Sequence, residues 1–202
     1  VASLEVGLDG RRRDALRDLE DPERDRVEGD AAGDRSEDDA LLVVRRRHGV
    51  PVRSVRFDGA ATLTTAAHEV LETADTVVIA PSNPFVSVGT ILAVPGMLDT
   101  LLAAAAPVVA ISPVVGGKAL RGPADRMLES LGGEASARGF VAHYREHHPE
   151  LVGAFVLDAV DAQEAETLRA EGVVVTVLDT VMRTHDDRRR LATEILSTNL
   201  PA

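Results

Sequence analysis

The chain has 202 residues and a formal net charge of −11 at pH 7, long enough for one domain with a buried core. Aromatic residues make up 2% of the sequence, and there is no cysteine. The acidic balance argues against nucleic-acid binding through phosphates, and the lack of cysteine excludes disulfides and thiolate zinc sites. Proline and charge interrupt every apolar run before it reaches membrane-spanning length, and the charged N-terminus does not resemble a secretory signal. We therefore predict a cytoplasmic protein that binds neither nucleic acid nor membrane.

Charge is distributed unevenly along the chain. Residues 1–39 hold 14 acidic and 7 basic residues and few β-branched ones. Such a composition buries little apolar surface, so we expect a weakly ordered acidic segment that is mobile or weakly helical. Residues 40–202 are predicted to form a single α/β domain.

Strand and helix patterns alternate through that domain. An edge strand is predicted over 52–57, and short apolar runs typical of strands buried on both faces occupy 76–80, 107–111, 154–157 and 173–178. Amphipathic patterns predict helices over 64–73, 97–105, 123–131, 137–147, 162–171 and 186–196. Pro123 is expected at the first helical position of the third helix, which Gly132 and Gly133 close. The alternation indicates a doubly wound, Rossmann-like parallel sheet.

Three loops that follow predicted strands carry polar or glycine-rich sequence. In such sheets, ligands bind outside the carboxyl ends of the strands. Glycines let the backbone approach an anion, and the helix N-terminus that follows favours negative charge. We therefore predict a nucleotide or phosphate site at this edge, around one cleft. Its candidate residues are Ser82, Asn83, Pro84 and Ser87 in the first loop, Ser112, Gly116, Gly117, Lys118 and Arg121 in and after the second, and Asp179 in the third.

A histidine cluster near the end of the fourth predicted helix could be a metal site, but the evidence for it is weaker than for the nucleotide or phosphate site. His143 and His147 are four residues apart, but zincin helices place Glu directly after the first His, and here that residue is Tyr144. We interpret His143, Glu146, His147 and His148 as a solvated helix end.

The loop sequences resemble one known family. Ala80-Pro-Ser-Asn-Pro-Phe-Val-Ser-Val-Gly-Thr, Ile111-Ser-Pro-Val-Val-Gly-Gly and Asp179-Thr-Val-Met are similar, in order and spacing, to signatures of the 2-phospho-L-lactate transferase family. The resemblance implies transfer of a 2-phospholactyl or phosphoenolpyruvyl group from a guanosine diphosphate-activated lactate or enolpyruvate. The implied acceptor is the ribityl hydroxyl of 8-hydroxy-5-deazaflavin, with release of GMP, and the implied cofactor is magnesium.

The chemistry of phosphoryl transfer to a hydroxyl, which needs positioning and charge neutralisation, suggests roles for individual residues. Asp179 is expected to hold magnesium or accept the ribityl proton, and Lys118 and Arg121 to neutralise charge on the phosphoryl oxygens. Ser82, Asn83, Ser87, Gly116 and Gly117 are expected to cradle the diphosphate.

The resemblance covers the C-terminal two thirds of the family's pattern, from about residue 40 onward. Nothing in residues 1–40 resembles the family's first strand and its Gly-Gly-Thr-Gly loop. We therefore expect the acceptor-binding residues to lie mostly outside this sequence, and the chain alone to show weak or no transfer. An unpaired sheet edge favours pairing with another chain, so a homodimer is among the expected partners. The alternative function is a non-catalytic regulatory protein of the same fold that binds a nucleotide or nucleotide-sugar.

Overall fold

The computed structural model describes the strand Ser3–Leu8, residues 51–59 and residues 61–198. The strands are β1 (Ser3–Leu8), β2 (Val52–Asp58), β3 (Val77–Ile79), β4 (Val108–Ile111), β5 (Val114–Val115), β6 (Lys118–Ala119), β7 (Ala154–Asp158) and β8 (Val175–Leu178). The α-helices are α1 (Thr65–Thr73), α2 (Gly89–Leu92), α3 (Met97–Ala103), α4 (Ala124–Ser130), α5 (Ala137–His147), α6 (Ala162–Ala170) and α7 (His185–Leu196). A π-helix spans Pro84–Val88, and a 3₁₀ turn spans Ala159–Asp161.

The central sheet has four parallel strands in the order β3-β4-β7-β8. Its register pairs Val77 with Val108, Val109 with Ala154, and Phe155 with Val175. The α/β class and the parallel sheet predicted from the apolar runs are therefore confirmed.

Alternating residues of each central strand face two different layers of helices. Ala110 and Phe155 belong to the larger core cluster, together with buried residues of α4, α5 and α6. Val109 and Val156 belong to a second cluster, which Leu191 and Ile195 of α7 complete on the other face. Helices on both faces explain why these strands are apolar throughout rather than alternating with polar residues.

Local signals fix where several helices begin and end. The Ser136 hydroxyl accepts a hydrogen bond from the backbone N–H of Gly139 and begins α5, and Gly132 follows α4 with a positive φ of 93°. Pro123 is the residue that precedes α4 rather than its first helical residue, because its φ of −102° and ψ of 26° lie outside the helical region.

β2 does not join the parallel sheet. It pairs antiparallel with β1, with Val6 opposite Val55. Val52 packs with Met127 of α4, and this contact places the ribbon beside that helix. β1 lies within the segment that the sequence predicts to be weakly ordered. The rest of that prediction, and the domain boundary near residue 40, fall outside the described residues.

Across the described part of the chain, no single helix is long and apolar enough to cross a membrane. Two consecutive helical segments, Pro84–Leu92 and Met97–Ala103, are together long and apolar enough to do so, but they are bent by 82° at the break between them.

Candidate functional site

The parallel sheet brings four loops to its carboxyl edge. They follow Ile79, Ile111, Asp158 and Leu178, the last residues of the four strands. The three loops predicted from the sequence are among them, and the loop after β7 is an addition. Hydrogen bonds between side chains and backbone connect the loops after β4, β7 and β8.

The first loop is organised by the amide of Asn83. Its Oδ1 accepts hydrogen bonds from the backbone N–H groups of Phe85 at 2.9 Å and Val86 at 3.1 Å, which caps the π-helix. Its Nδ2 lies 3.3 Å from the sulfur of Met127 in α4. The oxygen of Asn83 and one of its two amide hydrogens are thus engaged within the protein, and the second amide hydrogen is the part left to meet a ligand. Ser82 and Pro84 flank it half-buried and buried, and Ser87 is exposed on the π-helix.

The second loop is a tight hairpin between β5 and β6. Gly116 and Gly117 form its two central residues with φ of 57° and 77°. Two consecutive positive φ values are the signature of a two-residue hairpin turn in which glycine is favoured. The pair therefore serves the turn, whether or not it also approaches a ligand.

Two groups of the second loop that were predicted to meet phosphate already have partners within the protein. Ser112 is 1% exposed, and its hydroxyl donates to the carbonyl of Val114 at 2.9 Å and accepts from the N–H of Val114 at 3.1 Å. The N–H of Gly116 donates to the carboxylate of Asp161, at 3.0 Å to its nearer oxygen. Lys118 and Arg121 follow the turn with exposed side chains.

The third loop depends on a buried carboxylate that the sequence prediction missed. Asp158, 3% exposed at the end of β7, accepts hydrogen bonds from the backbone N–H and hydroxyl of Thr180, both at 2.8 Å, and from the N–H of Val160 at 3.0 Å. Burial raises the pKa of this carboxyl, but the hydrogen bonds from Val160 and Thr180 outweigh it and hold the pKa below its ordinary value. Asp158 is therefore charged at neutral pH and positions the loop beside Asp179.

Asp161 has the opposite electrostatic character. It is 4% exposed, and burial raises its pKa. The nearby carboxylates of Glu164 and Asp158 raise the pKa further, and the hydrogen bond from Gly116 offsets only part of this rise. Both aspartates could have been found from the sequence by the rule that identified Asp179, because they follow an apolar strand at its carboxyl end.

Asp179 itself lies at the surface, with 63% of its side chain exposed. Its Oδ1 accepts from the N–H of Val181 at 3.3 Å, and its Oδ2 lies 3.3 Å from the guanidinium of Arg190. That guanidinium also donates to the backbone carbonyl of Asp179 at 2.7 Å. Asp179 can contribute one carboxylate to a metal site, and among the described residues no three His, Cys, Asp or Glu side chains are grouped to hold a metal ion. One protein carboxylate with phosphate oxygens fits the usual coordination of magnesium.

A cavity with a volume of about 630 Å³ lies beside α5. Of the candidate residues, Pro84 lines it. Its apolar lining includes Val55, Phe57, Phe85, Leu128 and Leu131, and its polar lining includes Glu134, Arg138, His143, Glu146, His147 and His148. The shared cleft around Ser82, Asn83, Ser112, Gly116 and Asp179 stays a prediction.

The histidine cluster is only in part the solvated helix end that the sequence suggests: Glu146 and His147 are exposed, whereas His143 and His148 are half-buried. The ring of His143 is half-buried, 4.6 Å from the ring of Phe85 and stacked at 4.7 Å on that of His147. Burial lowers the pKa of His143 to about 4, with His147 and His148 contributing, so its imidazole is neutral at pH 7. His143 is shielded from solvent by its contact with Phe85, which belongs to the first loop. The helix sequence alone does not reveal this tertiary contact.

Comparison with known proteins gives one family. The family model described as 2-phospho-L-lactate transferase CofD matches residues 32–200. A phosphoenolpyruvate transferase of Mycobacterium avium is 43% identical over 141 residues, which are 69% of this chain and 41% of that protein. A 2-phospho-L-lactate transferase of Methanococcoides burtonii is 36% identical over 155 residues, 75% of this chain and 49% of that protein. The chain thus spans less than half the length of these relatives.

The fold is similar to that of a solved Bacillus halodurans protein of the UPF0052 family. The TM-score is 0.55 at 17% sequence identity, over 78% of this chain and 54% of the other. At that identity the likeness concerns the fold alone.

Proposed function

Because the chain belongs to the 2-phospho-L-lactate transferase CofD family, we propose that it serves transfer of a 2-phospholactyl or phosphoenolpyruvyl group. The proposed donor is the three-carbon acid activated with guanosine diphosphate, and the proposed acceptor is the ribityl hydroxyl of 8-hydroxy-5-deazaflavin. The observation that carries the proposal is the family match, which extends over the four parallel strands and every loop at their carboxyl edge.

The reaction is a phosphoryl transfer. The hydroxyl oxygen of the acceptor forms a bond to the phosphorus next to the three-carbon acid, the bond from that phosphorus to the bridging oxygen breaks, and GMP leaves with the electron pair. The hydroxyl proton is released to a base. Catalysis of this kind relies on positioning and charge stabilisation rather than on a covalent intermediate.

The contacts at the carboxyl edge suggest which groups do this. The second amide hydrogen of Asn83, which is not donated to Met127, and the hydroxyls of Ser82 and Ser87 are candidate donors to the diphosphate. The exposed cations Lys118 and Arg121 are candidates to neutralise its charge.

Magnesium, when bound, would offset charge on the diphosphate, and Asp179 would hold it through a carboxylate oxygen. Asp179 is also a candidate base for the hydroxyl proton. The Arg190 guanidinium keeps this carboxylate beside the loop.

Binding of GDP, measured by titration calorimetry with and without magnesium, tests the proposal. Asn83→Asp keeps an acceptor that can cap the π-helix but replaces the amide hydrogens with negative charge, so it should weaken GDP binding in both conditions. Asp179→Ala should weaken binding only with magnesium, because without the metal its carboxylate repels the diphosphate. Asp75→Ala is the matched control, since Asp75 is exposed just before β3, at the opposite edge of the sheet.

The outcomes separate the alternatives. No binding of GDP by the unaltered chain, with or without magnesium, would contradict the proposal. Equal losses for Asp179→Ala in both conditions would remove its metal role. Tighter binding of a nucleotide-sugar than of GDP, with or without magnesium, would favour the alternative function, a regulatory protein of the same fold that binds a nucleotide or nucleotide-sugar.

A further inference from the structure

We propose that Arg190 of α7 is a positioning residue for Asp179, and that it fixes the orientation in which the Asp179 carboxylate holds magnesium. This inference rests on the proposed function, in which Asp179 contributes a carboxylate oxygen to the metal. It adds a residue that lies outside the sequence motifs of the three loops, and it gives Arg190 no direct contact with the donor or the acceptor.

Arg190 contacts both the backbone and the side chain of Asp179. One terminal nitrogen of its guanidinium donates to the backbone carbonyl of Asp179 at 2.7 Å and lies 3.3 Å from Oδ2 of the same residue. The other terminal nitrogen donates to the carboxylate of Glu194, one turn further along α7, at 3.0 Å. Because the guanidinium is planar and rigid, its bond to Glu194 fixes the direction from which it meets Asp179. The third loop is therefore attached to α7 at a defined place.

The same contacts orient the Asp179 carboxylate without saturating it. Its Oδ1 accepts a bond from the N–H of Val181 at 3.3 Å, and its Oδ2 faces the guanidinium of Arg190. Each carboxylate oxygen has two lone pairs, so both oxygens keep a site for another partner. The Asp179 side chain is also 63% exposed. A cation can therefore approach it from solvent while Arg190 and Val181 hold it in one orientation.

The charges around Arg190 determine whether a cation is still attracted to this place. A guanidinium beside a metal ligand repels a second cation unless further negative charge surrounds it. Arg190 contacts the carboxylates of Asp179 and Glu194, and those of Asp158 and Asp187 lie within electrostatic range of it. Four carboxylates thus surround this guanidinium. We therefore expect the orientation of Asp179, rather than repulsion, to be the larger effect of Arg190 on magnesium.

Arg189, the preceding residue of α7, provides a matched control. Its side chain is 80% exposed, against 32% for Arg190, and it is paired at 3.6 Å with Asp186 rather than with the third loop. Exposed ion pairs contribute little to stability, so neither arginine is expected to be needed for folding. Replacement of each by lysine keeps the charge of the chain and separates the contact with Asp179 from a general effect on α7.

Titration calorimetry of GDP with and without magnesium, on Arg190→Lys and Arg189→Lys, tests the inference. Lysine has a single ammonium nitrogen, so it cannot contact Glu194 and Asp179 from two nitrogens of one rigid plane. Loss of a group that orients a metal ligand lowers metal affinity by about 10–100-fold. We expect Arg190→Lys to reduce the magnesium-dependent gain in GDP affinity by about tenfold, with binding in the absence of magnesium and the melting temperature unchanged. Arg189→Lys should change none of the three.

The double variant of Arg190→Lys with Asp179→Ala shows whether Arg190 acts through Asp179. Once the carboxylate is absent, Arg190→Lys should have no further effect on GDP affinity in the presence of magnesium. Additive losses in the double variant, or an equal loss for Arg190→Lys with and without magnesium, would mean that Arg190 meets the diphosphate itself. Either result overturns the inference.

The same titrations separate this inference from the proposed function. If Arg190→Lys shows a magnesium-dependent gain equal to or larger than that of the unaltered chain, the inference is overturned and the proposed function stands. The inference also fails alone if the unaltered chain binds GDP equally well with and without magnesium. Failure of the unaltered chain to bind GDP under either condition contradicts both.

Discussion

The two buried aspartates after β7 should respond differently to the same substitution. Asp158 accepts three hydrogen bonds from two residues, whereas both oxygens of Asp161 are served by the single N–H of Gly116. An asparagine has one acceptor oxygen and a donor NH₂ group, so it can replace Asp161 but must turn a donor toward either Val160 or Thr180 when it replaces Asp158.

The magnitudes follow from these contacts. Asp158→Asn loses at least one hydrogen bond to a charged acceptor, each worth about 1.5–3 kcal/mol, and leaves an N–H or hydroxyl facing a donor. We expect it to lower the free energy of unfolding by about 2–4 kcal/mol. Asp161→Asn keeps the bond from Gly116 and removes a charge that burial disfavours, so it should cost about 1 kcal/mol or less.

Urea denaturation at pH 7, followed by circular dichroism, gives both values from the shift in midpoint if the two variants share one slope. The double variant with Thr180→Val should show strong coupling to Asp158→Asn and little to Asp161→Asn, since Thr180 contacts Asp158 alone of the two. Equal destabilisation by the two asparagine variants, or additivity of Asp158→Asn with Thr180→Val, would refute the reasoning.

Further predictions concern α5 and the first loop. The pKa of His143 is about 4 in the folded chain against an ordinary 6.5, so its contribution to stability is complete above pH 6.5 and is lost as the pH falls toward 4. Between pH 7.5 and 5, urea titrations should show that the free energy of unfolding falls by about 2 kcal/mol more in the unaltered chain than in His143→Gln. Equal losses would argue against burial of a neutral imidazole. Gly139→Ala places a methyl group against the carbonyl oxygen of Glu134 and should cost about 2 kcal/mol or more despite the better helix propensity of alanine, so an unchanged melting temperature would contradict this packing. Asn83→Ala should lower stability by about 1 kcal/mol through loss of the π-helix cap, whereas Asn83→Asp should not, and thermal unfolding of the pair distinguishes capping from a purely ligand-binding role.

The order and bounds of the secondary structure were largely readable from the sequence. The apolar runs at 107–111 and 154–157 coincide with β4 and β7 to within one residue, and α5 begins and ends where its pattern predicts. Strands covered on both faces are continuously apolar, and caps such as Ser136 act over three residues, so these features are local and can be seen in a single sequence. The loop signatures likewise indicated the family.

The connections between the loops were decided by the tertiary structure. Asp158 meets Thr180 across 22 residues of sequence, Asp161 meets Gly116 across 45, and Asn83 meets Met127 across 44. The partner of each group depends on which strands and helices are neighbours in the fold, and no local sequence pattern encodes which elements those are. Composition and spacing could place polar residues at the carboxyl edge. Only the packing of β7 between β4 and β8 determined which of them form hydrogen bonds within the protein and which face outward.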